Sequence, residues 1–339
     1  MSITIDNKTN SLFTEMSKAM MGVIADFKED EILNQIMPKV EAQILQKYGT
    51  LPELHEIKTP TKTRKITGVT HEKFDKVLKI VSSDIPVFLT GKAGTGKNII
   101  CQQVAEALGL EFYFTNAVTQ EYKLTGFIDA NGKYQETQFY KAFTNGGLFF
   151  LDEIDASVPE VLIILNAAIA NRYFDFPNGK VNAHPDFRIV AAGNTVGRGA
   201  DENYTGRYCL DRASLDRFAM VEINYSSKIE KALAKERQDL IDFAHAFRSV
   251  ADKIHIECLF SYRTISRIAE LEDIIPNIWE NLQISLFKGL NEDDINMIEK
   301  ELLEVPGMRF NKYVKSMSNH NLITTKDGNV KEATPFEFF

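Results

Sequence analysis

Five short apolar runs, separated by longer segments with helical periodicity, constrain the fold of this chain more than any other feature. Runs of this length that are almost entirely apolar are typical of strands buried on both faces of a parallel sheet. Their alternation with helical segments predicts an α/β domain of three layers, with helices on both sides of the sheet. The runs are Val87–Thr90, Glu111–Thr115, Leu148–Leu151, Arg188–Ala192 and Phe218–Ile223.

The segments on either side of these runs predict further regions. Apolar residues recur at helical spacing over residues 10–48, with a break or kink expected at Pro38. A stretch rich in lysine follows, and such stretches are usually solvated faces or tethers. After the last apolar run the patterns are helical only. The predicted regions are a helical N-terminal region (1–57), a basic linker (58–80), the α/β core (81–225), an all-helical second domain (226–290) and a C-terminal helix and tail (291–339).

Composition and charge narrow the classes of function. The 339 residues carry a formal net charge of −8, whereas a chain that grips nucleic acid by bulk charge is usually basic. The three cysteines, Cys101, Cys209 and Cys258, are far apart, so they form neither a CxxC ligand pair nor a dense disulfide framework. We see no secretory signal and no apolar stretch of the ~20 residues that span a bilayer, so we expect a soluble, cytoplasmic protein.

A glycine-rich segment, Gly91–Asn98, follows the first apolar run and precedes a predicted helix over Ile99–Leu108. A strand, a glycine-rich turn and a helix are the setting of a P-loop, where bare backbone N–H groups and a helix N-terminus face phosphate oxygens. Lys97 would supply a full positive charge to the outer phosphates. The alternative is a glycine-rich turn that binds nothing. The expected nucleotide contacts are Gly91, Ala93, Gly94, Thr95, Gly96, Lys97, Asn98 and Ile99.

The last position of this loop departs from the usual pattern. Asn98 stands where a Ser or Thr hydroxyl would bind Mg²⁺. An amide oxygen can also ligate a hard cation, but it does so less commonly in this position.

Two carboxylates follow the third apolar run. Asp152 could hold the hydration shell of Mg²⁺, and Glu153 could polarise an attacking water. The alternative is an acidic helix cap, because Asp155 and Ser157 precede an apolar helical run. A P-loop upstream favours the catalytic interpretation.

Polar residues near the later strands complete the candidate site. Asn194, at the end of the fourth run, could reach the same water or the γ-phosphate. Arg212 and Arg217, just before the fifth run, are candidate cations for the transition state, although taken alone each is more simply a surface arginine. Arg263 opens a helix of the predicted second domain and could close over the nucleotide.

In combination, these motifs resemble the AAA+ ATPases of the MoxR, CbbQ and dynein-related branch, with particular likeness to the CobS-type ATPase subunit of cobaltochelatase. The resemblance covers roughly residues 80–275. It is carried by Gly91–Asn98, Leu151–Asp155, Ala183–Arg188, Ala192–Thr195, Tyr204–Gly206 and Leu215–Phe218.

The resemblance implies a P-loop NTPase core with a helical lid, ATP and Mg²⁺ as cofactors, and a role for each matched residue. The implied metal ligands are Asn98 and Asp152. The other implied roles are the phosphate lysine (Lys97), the catalytic glutamate (Glu153), the sensor at the end of the fourth strand (Asn194), the arginine finger (Arg217), the lid arginine (Arg263) and a residue that restrains the catalytic glutamate (Asn116).

The resemblance also implies an assembly. Members generally form hexameric rings in which the arginine finger acts on the nucleotide of the neighbouring subunit, and the partner is often a protein with a von Willebrand A domain. A hairpin facing the ring pore is expected within Lys123–Phe139, where Phe127 could grip a substrate or could equally be a packed side chain. A second hairpin is predicted over Tyr173–Ala183, turning at Pro177-Asn178-Gly179.

These observations favour an ATP-driven motor that remodels a partner protein. One alternative is a DNA-directed AAA+ protein, possibly encoded by a phage, which only the basic stretch 58–79 supports. Another is a nucleotide-gated scaffold with weak hydrolysis, which Asn98 supports. A small-molecule kinase is the third, and the expected helical lid argues against it.

Overall fold

The computed structural model describes residues 63–200, 204–306 and 310–319, together with the strand segments 4–6, 54–58, 322–324 and 330–332. The helical region expected over residues 10–48 lies outside the described residues. Of those described, the residues up to Ser226 belong to one compact unit and those from Ser227 onward to a second. The boundary predicted from the sequence lies one residue earlier.

Three strands at the start of the first unit form an antiparallel sheet: β1 (Thr4–Asp6), β2 (Leu54–Lys58) and β3 (Thr63–Thr67). Helix α1 (Phe74–Ser82) follows. Strand β3 and most of α1 fall within the stretch where a basic linker was expected. The lysines of α1 share the helix with apolar residues at helical spacing, such as Val77 and Val81, which are fully buried. This apolar face, not the lysines, decides the local structure.

The remaining elements of the first unit alternate between strands and helices. In chain order they are β4 (Val87–Thr90), α2 (Lys97–Leu108), β5 (Phe112–Thr115), α3 (Tyr122–Thr125), β6 (Phe127–Ile128), β7 (Tyr134–Gln135), α4 (Gln138–Asn145), β8 (Gly147–Leu151), α5 (Pro159–Asn171), β9 (Tyr173–Phe176), β10 (Gly179–Asn182), β11 (Phe187–Gly193), α6 (Arg212–Leu215) and β12 (Ala219–Glu222).

A five-stranded parallel sheet forms the centre of this unit, in the order β12-β4-β11-β8-β5. Each strand lies within one residue of its predicted bounds. Side chains alternate between the two faces, so Leu89 and Phe150 pack on one side with α1 and α2, and Phe88 and Phe149 pack on the other with α4 and α5. The predicted three-layer α/β fold is confirmed. Because both faces are buried, solvent-accessible polar chemistry of the sheet is confined to the strand ends.

Both predicted hairpins are present. Strands β9 and β10 pair antiparallel with Phe176 opposite Gly179, so Pro177 and Asn178 form the two-residue turn. Strands β6 and β7 pair within the segment where a pore-facing hairpin was expected. On that hairpin Phe127 is 47% exposed, and its ring lies 6.0 Å from that of Tyr122.

The second unit is built of helices. In chain order they are α7 (Ser227–Leu233), α8 (Gln238–Lys253), α9 (Tyr262–Leu271), α10 (Ile278–Ser285), α11 (Glu292–Leu303) and α12 (Asn311–Asn319), followed by a short antiparallel pair, β13 (Leu322–Thr324) and β14 (Val330–Glu332). They share a core in which Phe243 stacks on Tyr313 at 4.7 Å between ring centroids. Within the described part of the chain, every helix is too short or too polar to traverse a bilayer.

A buried carboxylate ties α7 to α8 in this unit. Glu230 is 1% exposed and contacts His245 and Arg248, each at 2.5 Å. Burial acts to raise the pKa of Glu230, but hydrogen bonds and charge from His245 and Arg248 outweigh it and hold the pKa below its usual value. The carboxylate is therefore ionised and paired in the folded unit.

Candidate phosphate-binding site

The loop between β4 and α2 has a backbone that only glycine fits at its key positions. Gly91 has φ +144°, and a Cβ there would lie 2.1 Å from the backbone oxygen of Ile223. Gly96, directly before α2, has φ +84°. These left-handed conformations explain why the sequence places glycine at both ends of the loop.

The ammonium group of Lys97 organises this loop from within. The side chain is buried, and Nζ donates to the carbonyls of Gly91 at 2.7 Å and Lys92 at 3.1 Å. It also donates to Oδ1 of Asn194 at 3.0 Å. Asn194 follows β11, the neighbour of β4, and the carboxyl ends of parallel neighbours meet at one edge of a sheet. Two residues singled out in the sequence, 97 positions apart, are thus in direct contact.

A magnesium-bound phosphate group fits the donors present here. Oδ1 of Asn98 is buried and accepts no hydrogen bond from any described residue. A buried polar atom without a partner costs about 1–3 kcal/mol, so such atoms usually serve a ligand. Asp152 directly follows β8, and its Oδ1 accepts from the backbone N–H of Glu153 at 2.9 Å. Amide and carboxylate oxygens are hard donors of the kind Mg²⁺ takes.

The carboxylates after β8 have distinct surroundings. Glu153 has a left-handed backbone, φ 53°, and its side chain is 40% exposed. Asp155 is fully buried, and its Oδ2 accepts from the backbone N–H of Asn194 at 3.0 Å and from the N–H and hydroxyl of Thr195, both at 2.9 Å. Asp155 therefore braces the strand end that carries Asn194.

The alternative role of these residues as a helix cap is wrong. Helix α5 has Val158 as its N-cap, with no side-chain capping bond. Ser157 instead accepts from the backbone N–H of Val118 at 2.9 Å. The acidic residues are held by long-range partners, not by the helix that follows them.

Two further residues at this site were not identified from the sequence. Arg207 contacts Oε1 of Glu153 and Oδ1 of Asp155, each at 3.4 Å. The hydroxyl of Tyr204 accepts from the backbone N–H of Ala93, in the glycine-rich loop, at 2.9 Å. Tyr204 had entered only as part of the resemblance. By pattern alone, nothing distinguishes Arg207 from the surface arginines that follow it.

Other predicted site residues are not brought to this cluster. Arg217 donates to the carbonyl of Ala213, in the preceding helix, and Arg212 is exposed. Among the described residues, the hydrogen bonds and ion pairs of the cluster include neither arginine. Asn116 is exposed just after β5, and Arg263 is exposed on α9 in the second unit.

Proteins of related sequence give no functional guidance by name. An uncharacterized protein of Staphylococcus epidermidis is 26% identical over 214 residues, which is 56% of this chain and 79% of that protein. An uncharacterized protein of Staphylococcus saprophyticus is 25% identical over 228 residues, 60% of this chain and 84% of that protein.

Solved structures with some likeness include NtrX from Brucella abortus and a RuvB mutant from Thermotoga maritima. NtrX has 14% identity and a TM-score of 0.40, with 72% of this chain and 54% of NtrX covered. The chain therefore spans about half of that NtrX chain. RuvB has 16% identity and a TM-score of 0.36, with 77% of this chain and 71% of RuvB covered.

Residues 86–218 match the family model described as "AAA domain (dynein-related subfamily)". The match begins just before β4 and ends just before β12, so it contains the glycine-rich loop, the carboxylates after β8 and the end of β11. This segment of the chain is an AAA domain.

Proposed function

We propose that this chain is an ATPase that binds ATP with Mg²⁺ at the glycine-rich loop of the first unit and hydrolyses it. The contact that carries the proposal is the one between Lys97 Nζ and Asn194 Oδ1 at 3.0 Å. It joins a phosphate-binding lysine to a polar strand end, within a segment that is an AAA domain.

The residues present divide the work of binding. The backbone N–H groups of the loop and the N-terminus of α2 would receive phosphate oxygens. Lys97 would exchange its carbonyl partners for the outer phosphates, while Asn98 and Asp152 would hold the metal. Bound Mg²⁺ would neutralise phosphate charge during the reaction.

Glu153 is the candidate for the chemical step. Its side chain is partly exposed and directly follows Asp152. The carboxylate can accept a hydrogen bond from a water and align it for attack. Asn194, held by Asp155 through its backbone, can donate its side-chain amide to an oxygen at the same edge of the sheet.

We further propose that the active form is a ring, with six subunits as the expected number, that remodels a protein partner. In this proposal Arg217 acts on the nucleotide of a neighbouring subunit and Arg263 closes from the helical unit. The position of Arg217 outside its own chain's cluster supports a role in trans. The exposed aromatic ring of Phe127 on the β6–β7 hairpin supports contact with a partner, of which a von Willebrand A domain is one candidate.

The decisive experiment measures ATPase rate per subunit against protein concentration, with Mg²⁺ present. We expect the rate per subunit to rise with concentration, because the arginine comes from a neighbour. Arg217→Ala should abolish this rise, whereas Arg212→Ala, a neighbouring exposed arginine, should preserve it.

A second variant tests the chemical assignment. Glu153→Gln should still bind ATP but hydrolyse it at least about a hundredfold more slowly. Undiminished hydrolysis in this variant would refute the role of Glu153. A substantial rate that does not depend on concentration would refute the ring, and bound ATP with almost no turnover would favour a nucleotide-gated scaffold.

A further inference from the structure

One short segment, residues 204–208, contacts both halves of the proposed ATPase site. At its start, the Tyr204 hydroxyl accepts from the N–H of Ala93 in the glycine-rich loop, at 2.9 Å. Arg207 pairs with the carboxylates of Glu153 and Asp155, and the backbone N–H of Tyr208 donates to the carbonyl of Asp155 at 2.7 Å. The segment therefore links the phosphate-binding loop to the residues that follow β8.

The guanidinium of Arg207 is suited to fix two carboxylates at once. Its planar fork presents donors in a rigid arrangement, and here NH2 faces Glu153 while NH1 faces Asp155. Asp155 cannot move, because it is fully buried and holds Asn194 and Thr195. Arg207 thus connects a mobile carboxylate to a fixed one.

Glu153 needs such a connection. Its side chain is 40% exposed, so packing alone does not select one rotamer. A group that aligns water must be held close to its productive geometry, since a misplacement of ~1 Å can cost about a hundredfold in rate.

We propose that Arg207 is a positioning residue that fixes the Glu153 carboxylate against Asp155, and that Tyr204 ties this arrangement to the glycine-rich loop. This inference rests on the proposed ATPase function. Arg207 acts through Glu153 and not on the nucleotide, so its loss should lower turnover without weakening nucleotide binding.

The first test compares Arg207→Ala with Arg188→Ala. Arg188 is a matched control, because its side chain is 11% exposed against 12% for Arg207 and it pairs with Asp84 at 3.3 Å, outside the cluster. We expect Arg207→Ala to lower kcat at least about tenfold, with the Kd for ATP changed by less than about twofold. Arg188→Ala should keep both constants near those of the parent.

Arg207→Lys keeps the charge but lacks the fork, so it should restore kcat only in part. Millimolar guanidinium should also raise the kcat of Arg207→Ala, while the same concentration of urea should not. An unchanged kcat in Arg207→Ala would overturn the proposal. Loss of ATP binding in both Arg207 variants would overturn it as well, because the residue would then act on the loop.

A second test does not depend on hydrolysis. The melting-temperature losses of Arg207→Ala and Glu153→Ala should exceed, when added, the loss in the double variant, since the singles remove one shared contact. Additive losses would show that Arg207 does not hold Glu153, and would overturn the inference. If the parent chain hydrolyses no ATP, the proposed function fails, while this cycle still decides whether the two residues are coupled.

Discussion

Replacing Asp155 by asparagine should destabilise the first unit more than any other single polar substitution at the site. The carboxylate is fully buried and accepts three hydrogen bonds on Oδ2, from two backbone N–H groups and the Thr195 hydroxyl. Its Oδ1 faces Arg207 at 3.4 Å. The substitution keeps the shape of the side chain but removes its charge and half of its acceptors.

The magnitude follows from these contacts. If the amide oxygen takes the place of Oδ2, three charge-assisted hydrogen bonds become neutral, at a loss of about 1 kcal/mol each. The amide nitrogen then faces the guanidinium of Arg207, so a donor opposes a donor and a buried cation loses a partner. We therefore expect Asp155→Asn to lower the free energy of unfolding by about 3–5 kcal/mol.

Equilibrium unfolding in urea, followed by circular dichroism, measures this loss as a midpoint lowered by roughly 1–2 M. Asp129→Asn is the matched control. Asp129 also accepts three hydrogen bonds, from Asn131 and Lys133 at 2.9 Å and from Gln135 at 2.8 Å, but at the surface. Its midpoint should move far less. Equal shifts in the two variants would refute the reasoning, because burial would then not set the cost.

Three further outcomes are expected. Glu230 has a lowered pKa in the folded chain, so its contribution is present above the unfolded value and is lost as the pH falls; Glu230→Gln should flatten the acid dependence of unfolding followed by the single tryptophan, which lies in the second unit. A thiol reagent should label Cys209, which is exposed, well before the other two cysteines, because burial raises the pKa of Cys101 and raises that of Cys258 to about 12; mass spectrometry of digested samples would show a different order if the packing were otherwise. Gly91→Ala should abolish nucleotide binding in a titration, since a Cβ cannot lie 2.1 Å from a backbone oxygen, and retained affinity would mean that the loop tolerates rearrangement.

The strands of the central sheet could be predicted from the sequence because they are buried on both faces. Burial on two sides demands an uninterrupted apolar run, which stands out from the amphipathic patterns of helices. Helix α1 was obscured for the opposite reason. Its exposed lysines dominate the composition of residues 58–80, while Val77 and Val81 hold it to the sheet.

The parts of the site that were missed depend on contacts between distant residues. Asp155 reads locally as a cap for the next helix, yet its hydrogen-bond partners lie 39 and 40 positions further on. Arg207 lies 54 residues after Glu153, in a loop whose composition resembles that of any surface turn. Residue types alone do not reveal a partner at such a separation.

The order of the strands explains why the predicted core of the site nevertheless assembles as expected. From β4 the chain passes to β5 at the far edge, returns through β8 and β11, and then crosses to β12 on the other side of β4. Strands β4 and β11 are therefore neighbours whose onward connections lead in opposite directions, and in open α/β sheets the crevice at such a point is where ligands bind. Lys97 follows β4 and Asn194 follows β11, so their contact is a consequence of topology. Any chain with this strand order brings the residues after these two strands together, and the identity of those residues then decides which chemistry the crevice can support.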